Sequence, residues 1–330
     1  MPARYDYTAR AYRVSCTRCG DSRLVDSIDR DALIVGTTDA ATDWIAWHSG
    51  HGRFVTRCRS CERIVRASRP RAPRNSSRVP GTFRALGVGR RFGVELELIF
   101  PSHVGRGTID NALSAAGLNG WRCKSDSSLR GNGWEVVSPV LAGEDGLEQI
   151  RTACRVVRDL GASVNRSCGM HVHHEIRDLT VNGVKQVFRN WRANQPLIDG
   201  LVAESRRGRQ TYCGTIRDDE AMQVERARDL QSIGRFYRFY SNLNLGAYGR
   251  YGTLEIRQHQ GTLNAEKIVS WLRFGQAVID SAAERGTATL VDATPFTRMR
   301  DLLTSLGEHL DETAKTFLLG RTVEFGAVTV

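Results

Sequence analysis

The clearest pattern of hydrophobic and polar positions in this chain is the strict alternation of the segment FGVELELIF. In an extended strand Val94, Leu96 and Leu98 point to one side, and Glu95 and Glu97 point to the other. A half-buried strand alternates in this way. The segment therefore predicts a strand with one apolar face towards a core and two neighbouring carboxylates on the opposite face.

Strands and helices alternate through the rest of the chain. The segments GMHVHHEI, RFYSNLNL and GTLEIRQHQG predict strands, and WRCKSDSSLRGNGWEVVSP predicts two strands around a glycine-rich turn. Helices are predicted from Thr108 to Gly117, from Leu147 to Gly161, over 181–203 and 218–232, and from Asn264 to about Ala283. Short connections between elements of both types predict a single α+β domain over residues 89–330.

Two Cys-x-x-Cys pairs, Cys16 with Cys19 and Cys58 with Cys61, precede this domain. A tight turn aims both sulfurs of a pair at one point, and two pairs complete a tetrahedral, structural Zn²⁺ site. The 38 residues between the pairs exceed the usual spacing, so a small helix or hairpin at DWIAWHSGH is expected between them. We predict a zinc-binding module over residues 1–66; four unrelated thiols are the alternative.

A basic linker is predicted over residues 67–88. The stretch RASRPRAPRNSSRVP contains five arginines, three prolines and three serines, with almost nothing to bury. Such a composition favours an extended tether. The same arginines also allow contact with nucleic acid or another polyanion.

Composition sets the remaining bounds. A net charge of +11 is typical of chains that bind polyanions, but the 47 cationic side chains include only four lysines. Because a GC-rich genome also favours arginine, the charge says little about partners. No run approaches the ~20 apolar residues of a membrane span, and the start lacks the apolar core of a signal peptide. We therefore expect a cytoplasmic protein without a membrane partner, whose eight cysteines serve as metal ligands or free thiols.

The polar faces of the predicted strands carry the candidate chemistry. Glu135 opposes apolar neighbours, His171 and His173 share one face, and so do Glu255 and Arg257. A sheet with one solvated face is the alternative, but such faces usually mix Lys, Thr and Ser. Carboxylates aligned at this spacing repel each other unless a cation lies between them. Oxygen ligands with an imidazole favour Mg²⁺ or Mn²⁺.

These segments also resemble a known family. GVELEL, GMHVHH and GTLEIR are similar, in this order, to the signature strands of the carboxylate–amine ligases related to glutamine synthetase and glutamate–cysteine ligase, and to the amidoligases in particular. SDSSLRGNGWEVVSPVLAG and GASVNRSCGMHVHHEI fit the same pattern. The resemblance covers roughly residues 90–285. It implies a glutamine-synthetase-like curved antiparallel sheet with helices on one face, which binds ATP and Mg²⁺.

The resemblance also implies a reaction and metal ligands. ATP would phosphorylate a carboxylate to an acyl phosphate, and an amine would then displace phosphate to form an amide. Glu95 and Glu97 would be catalytic ligands of two different metal ions. His171 and Glu255 would complete one metal site, and Glu135 the other.

Two further roles follow from the same resemblance. His173 would contact the phosphates of ATP. Arg257 would be catalytic and would stabilise the transferring phosphoryl group with its planar fork.

Several points stay open at the level of sequence. The carboxylate and amine substrates are not fixed, and peptides or proteins are among them; the oligomeric state is not fixed either. Asp126 fits a turn cap as well as a ligand, and Arg206, Arg207 and Arg209 fit either an anion site or a solvated loop. A phosphotransferase on the same fold and a zinc-ribbon nucleic-acid-binding protein are the alternative functions.

Overall fold

The computed structural model describes residues 89–208, 210–236, 240–285, 290 and 292–325, and the backbone of six strands between residues 3 and 58. The chain divides into two compact units, Met1–Arg78 and Val79–Val330. The predicted linker, Cys16, Cys19 and Cys61 lie outside the described residues, as does the side chain of Cys58. The zinc site and the proposed domain boundaries therefore stay predictions.

The first unit contains two three-stranded antiparallel sheets. One has the order β1-β2-β3, with strands Ala3–Asp6, Ala11–Ser15 and Ser22–Val25. The other has the order β4-β5-β6, with strands Thr38–Asp39, Trp44–Ser49 and Arg53–Cys58. Strands β5 and β6 form a hairpin in the region between the two cysteine pairs.

The second unit is built on a six-stranded sheet of order β11-β12-β10-β7-β9-β8, in which every neighbouring pair is antiparallel. Its strands are β7 (Phe92–Ile99), β8 (Arg122–Ser125), β9 (Gly133–Val137), β10 (Gly169–Glu175), β11 (Leu243–Asn244) and β12 (Thr253–Gln260). The mixture of this sheet with helices confirms the predicted α+β class.

Ten α-helices are assigned in the described part of this unit. They are α1 (Arg106–Ala115), α2 (Gly143–Asp159), α3 (Val181–Ala193), α4 (Gln195–Asp199), α5 (Asp218–Arg226), α6 (Leu230–Phe236), α7 (Tyr248–Tyr251), α8 (Ala265–Arg285), α9 (Met299–Ser305) and α10 (Glu312–Glu324). Single 3₁₀ turns lie at Glu204–Arg206 and Gly307–His309. None of these helices has the length and apolar character that crossing a membrane requires.

Three predicted elements differ from the observed ones. The predicted helix over 181–203 ends at Ala193 and restarts at Gln195, because Pro196 in the first turn of α4 has no N–H to continue the hydrogen-bond ladder. The segment RFYSNLNL forms only the two-residue strand β11 among its described residues.

The third is the predicted helix over 218–232. It ends at Arg226, where Ala227 is extended, and a new helix begins at Leu230. Asp229 Oδ1 accepts from the Ser232 N–H at the start of this second helix.

The apolar face of the sheet packs into the main core. Val94, Leu96 and Leu98 are at most 1% exposed and join one cluster with residues of the helices, such as Ile150 of α2 and Phe274 of α8. Burying one face in this way fixes the strand parity, because a shift by one residue would turn the carboxylates into the core. The polar side chains consequently project from the opposite face, which we call the site face.

Candidate active site

Strand register brings the predicted residues together on the site face. Glu95 of β7 pairs with His171 of β10, and Glu97 pairs with Glu135 of β9. Directly paired residues of antiparallel strands point to the same side. The site face therefore carries Glu95, Glu97, Glu135, His171, His173, Glu255 and Arg257.

His171 lies at the centre of these acids and is only 3% exposed. Its Nδ1 is 3.3 Å from Glu95 Oε2 and 3.5 Å from Glu255 Oε1, and its Nε2 is 3.5 Å from Glu97 Oε1. Two sets of ligand atoms each lie within 4.8 Å of one another: Glu95 with His171 and Glu255, and Glu97 with Glu135 and His171. We call these five residues the acid cluster.

The charge balance of the acid cluster fits a divalent cation. Burial, together with the neighbouring Glu95 carboxylate, raises the pKa of Glu135 to about 7, although Lys124 opposes the rise. Burial also tends to raise the pKa of Glu95, but hydrogen bonds with His171 and His173 outweigh it and lower the pKa. Burial and the Glu95 charge both disfavour the ionised Glu135 carboxylate, and a cation that accepts hard oxygen ligands would offset both by stabilising that carboxylate.

Lys124 is a member of the site that sequence reasoning missed. It lies on β8 directly opposite Glu135, with Nζ 3.5 Å from Glu135 Oε2 and 3.9 Å from Glu95 Oε1. The alternation of the segment RCKS, in which buried Cys123 takes the core side, was a signal for its direction. Its proximity to two carboxylates partly neutralises the outer edge of the acid cluster.

Glu255 is oriented from two sides. Asn244 Nδ2 of β11 donates to its Oε2 at 2.7 Å, and Arg257 Nη1 donates to its Oε1. Arg257 also donates from Nε to the Tyr212 carbonyl at 3.1 Å. These contacts hold Glu255 beside His171. Asn244 was not predicted as a site residue, although it lies in the predicted strand segment RFYSNLNL and its alternation with buried Leu243 and Leu245 was a signal for its direction.

His173 marks one end of the site. Its Nε2 is 3.5 Å from Glu95 Oε1, its Nδ1 is 3.2 Å from Thr253 Oγ1, and its ring meets the edge of the exposed Tyr251 ring at a centroid distance of 6.1 Å. Burial tends to lower the pKa of His173, but the hydrogen bond with Glu95 and the Glu255 charge outweigh it and raise the pKa. The charged imidazole is thereby favoured next to the carboxylates.

The structure distinguishes among the residues whose roles the sequence did not decide. Asp126 Oδ1 accepts from the backbone N–H of Ser128 at 2.8 Å, so this carboxylate caps a turn, outside the two sets of ligand atoms. Arg206 is buried, whereas Arg207 donates from Nε to the carbonyl of Val202 at 2.9 Å. Arg209 lies outside the described residues.

Comparisons with known proteins give one family match and one structural similarity. Residues 120–279 match the model of a family described as "Putative amidoligase enzyme", which supports an amidoligase relationship over just under half of the chain. The match includes β8 to β12 and leaves out β7, which carries Glu95 and Glu97.

A solved structure described as "Crystal structure of novel glutamine synthase homolog" has 14% sequence identity and a TM-score of 0.39. The similarity covers 74% of this chain and 67% of that chain. No curated protein matches the sequence.

Proposed function

We propose that this chain is an ATP- and Mg²⁺- or Mn²⁺-dependent carboxylate–amine ligase on a sheet of the glutamine-synthetase type, forming an amide through an acyl phosphate. The observation that carries the proposal is the acid cluster, in which three strands bring four carboxylates around one imidazole. The family match over residues 120–279 supports a ligase of the amidoligase kind.

The acid cluster offers a suitable donor set for the metal ions. Glu95, His171 and Glu255 would hold one Mg²⁺ or Mn²⁺, and Glu97 and Glu135 another; these ions would supply charge neutralisation for the phosphates of ATP. The raised pKa of Glu135 supports this assignment, because burial and the neighbouring Glu95 carboxylate disfavour the ionised Glu135 side chain until a cation is bound.

The reaction is balanced in two steps. A carboxylate oxygen of the acceptor attacks the γ-phosphorus of ATP, the bond from that phosphorus to the bridging oxygen breaks, and ADP leaves. The amine nitrogen then attacks the acyl carbon, inorganic phosphate leaves, and the nitrogen loses a proton to solvent. The resulting products are an amide, ADP and inorganic phosphate.

Two side chains of this protein would act on the phosphoryl group. Arg257 uses Nε and Nη1 for Tyr212 and Glu255, while Nη2 has no hydrogen-bond partner within the described residues and is free to donate to a phosphoryl oxygen. His173, with its raised pKa, would donate to an ATP phosphate from the other end of the site.

Proposals about the first unit rest on residue types and spacing. Cys16, Cys19, Cys58 and Cys61 would bind one structural Zn²⁺. The basic linker would contact a polyanion such as nucleic acid only as an accessory to the ligase. We place the enzyme in the cytoplasm, with a peptide or protein among its candidate acceptors.

The test is a reaction screen on the purified full-length protein. ATP and MgCl₂ are supplied with sets of carboxylic acids and peptides, each with and without sets of amines, and both ADP and inorganic phosphate are measured. A ligase releases the two in equal amounts and only when acceptor and amine are both present. A phosphotransferase releases ADP without inorganic phosphate.

The control for the screen is a pair of glutamate-to-glutamine substitutions that keep the size of the side chain and remove its charge. Glu97→Gln removes an acid-cluster carboxylate, and Glu308→Gln removes an exposed one. We expect the first to abolish ADP formation and the second to leave it unchanged. Equal activity of the two variants would contradict the proposed site.

A further inference from the structure

A buried arginine lies on the site face at the end opposite His173. Gly169 begins β10 and has the same parity as His171, so its missing side chain would point to the site face. A Cβ at Gly169 would lie 3.0 and 3.1 Å from Arg206 Nη1 and Nη2, and 3.1 Å from Glu97 Oε2. The guanidinium of Arg206 and the carboxylate of Glu97 therefore meet over this glycine.

The charge of Arg206 is only partly matched within the described residues. Glu97 borders the same position over Gly169, but its Oε2 accepts from the Gly169 N–H and its Oε1 lies 3.5 Å from His171 Nε2. Arg206 is only 6% exposed, yet among the described residues its guanidinium forms no salt bridge. Its side-chain hydrogen bond there runs from Nη1 to the thiol sulfur of Cys213 at 3.8 Å, and sulfur is a weak acceptor. Because a buried charge that is only partly paired is costly, such a residue points to an anion that arrives from outside.

One short segment, residues 212–214, contacts both Arg206 and Arg257. The carbonyl of Tyr212 accepts from Arg257 Nε, and the next residue, Cys213, contacts Arg206. Gly214 then pairs with Ser241, just before β11, and ties the segment to the sheet edge. Consecutive residues thus fix two guanidinium groups beside the acid cluster.

We propose that Arg206 binds a carboxylate group of the acceptor substrate. This assignment rests on the proposed function, in which ATP phosphates lie at the His173 end. Gly169 and His173 are four residues apart on one strand, roughly 13 Å at about 3.3 Å per residue. That distance separates a nucleotide end from an acceptor end, with the acid cluster and Arg257 between them.

The chemistry of the guanidinium favours a carboxylate. Two parallel N–H donors match the two oxygens of a carboxylate, and shelter from water strengthens the pair. Lysine would keep the charge but lose the fork. Gly169 belongs to the same site, because a Cβ there would require the guanidinium and the Glu97 carboxylate to shift by a few tenths of an ångström.

The experiment uses acetate as the minimal carboxylate and the full-length protein with MgCl₂ and saturating AMP-PNP. Acetate binding is measured by calorimetry at constant ionic strength set with NaCl, and inorganic phosphate is titrated in parallel. The variants are Arg206→Gln and Arg206→Lys, with exposed Arg166→Gln as the matched control. AMP-PNP affinity and the thermal midpoint are measured for each.

We expect saturable acetate binding in the parent and in Arg166→Gln. It should weaken at least tenfold in Arg206→Gln and about fivefold in Arg206→Lys, with AMP-PNP affinity unchanged in all four proteins. A purely structural arginine would instead lower the thermal midpoint of Arg206→Gln and leave the acetate affinity of the folded protein as it was. Arg206→Lys keeps the buried charge and serves if the glutamine variant does not fold.

Three results would overturn the assignment. The first is that the parent shows no saturable acetate binding, and the second is that the Arg206 variants bind acetate as tightly as the parent. The third is a tenfold loss of AMP-PNP affinity in Arg206→Gln, which would make Arg206 a nucleotide ligand. The assignment of a carboxylate ligand would also be wrong if inorganic phosphate bound more tightly than acetate and its binding depended on Arg206. If the protein binds acetate through Arg206 but does not bind AMP-PNP, the carboxylate site is supported and the proposed ligase function is contradicted.

Discussion

Glu95 and His171 face each other across β7 and β10, with Glu95 Oε2 3.3 Å from His171 Nδ1. The other ring nitrogen of His171 is 3.5 Å from Glu97 Oε1. One imidazole therefore adjoins both sets of carboxylates. The favourable contacts concentrate on Glu95, whereas burial and the Glu95 charge disfavour the ionised form of Glu135. Substitutions at these two glutamates should consequently affect the metal-free protein in opposite directions.

Replacing Glu95 by glutamine should destabilise the metal-free protein and remove its response to Mg²⁺. The amide keeps the size of the side chain but loses the charge that His171, His173 and Lys124 stabilise. We expect the thermal midpoint to fall by a few degrees, the stabilisation by MgCl₂ to vanish and ADP formation to be lost. Thermal denaturation with and without MgCl₂ measures the first two effects. An unchanged Mg²⁺ response would exclude Glu95 as a ligand.

Replacing Glu135 by glutamine should stabilise the metal-free protein above neutral pH. The pKa of Glu135 is about 7 in the folded state and near its ordinary value of 4.5 in the unfolded state. Between these values the folded state binds more protons, so the Glu135 contribution to stability falls as pH rises, and its cost is complete above pH 7. Glutamine does not titrate. The midpoint of the variant relative to the parent should therefore rise between pH 5 and pH 8, by roughly 3 to 6 °C.

The measurement for Glu135 is thermal denaturation in EDTA across that pH range. Glu308→Gln, which changes an exposed carboxylate, should show no comparable trend. Adding MgCl₂ at pH 8 should stabilise the parent more than the Glu135 variant. A difference between variant and parent that is flat from pH 5 to pH 8 would contradict the raised pKa.

Replacing Arg257 by lysine should slow turnover while leaving ATP affinity nearly unchanged. Lysine keeps one positive charge beside Glu255 but lacks the planar group from which Nε and Nη1 hold the Tyr212 carbonyl and Glu255 while Nη2 donates to a phosphoryl oxygen. We expect a loss of roughly a hundredfold in turnover, on the scale of one preorganised donor. The rate of ADP formation and the ATP affinity of variant and parent are compared. If Arg257 only neutralises its neighbouring glutamates, the lysine variant will turn over at nearly the parental rate.

Replacing His174 by leucine should stabilise the protein most at acidic pH. His174 points to the core face, is fully buried, and neither ring nitrogen has a hydrogen-bond partner within the described residues. Burial lowers its pKa to about 3. Below pH 6.5 His174 is protonated in the unfolded state but not in the folded state. The free energy of unfolding of the parent therefore decreases as the pH is lowered, by roughly 2 kcal/mol at pH 5.

Denaturation of His174→Leu and the parent at pH 7.5 and pH 5 tests this. The advantage of the variant should be larger at pH 5, and His103→Leu, at an exposed position, should give no such difference. His259, another buried histidine with a lowered pKa, is present in both proteins, so its contribution cancels in the comparison. An equal difference at the two pH values would exclude a strongly lowered pKa.

Much of the candidate site was readable from strand parity. The alternation around Glu95 and Glu97 and the positions of His171 and Glu255 fixed which side of each strand they occupy, because successive side chains of a strand point to opposite faces. Burial of the apolar sides on one core then required these polar sides to share a face. That inference needed no knowledge of strand order.

The sequence by itself therefore determined the α+β class, the main strands and the direction of their acidic side chains, since these depend on local periodicity. Only the tertiary structure decided which residues are neighbours. Strand order and register placed Lys124 beside Glu135 and Asn244 beside Glu255, and a loop distant in sequence brought Arg206 over Gly169. Such contacts depend on how separate segments pack, and no local pattern of hydrophobic and polar residues encodes that packing.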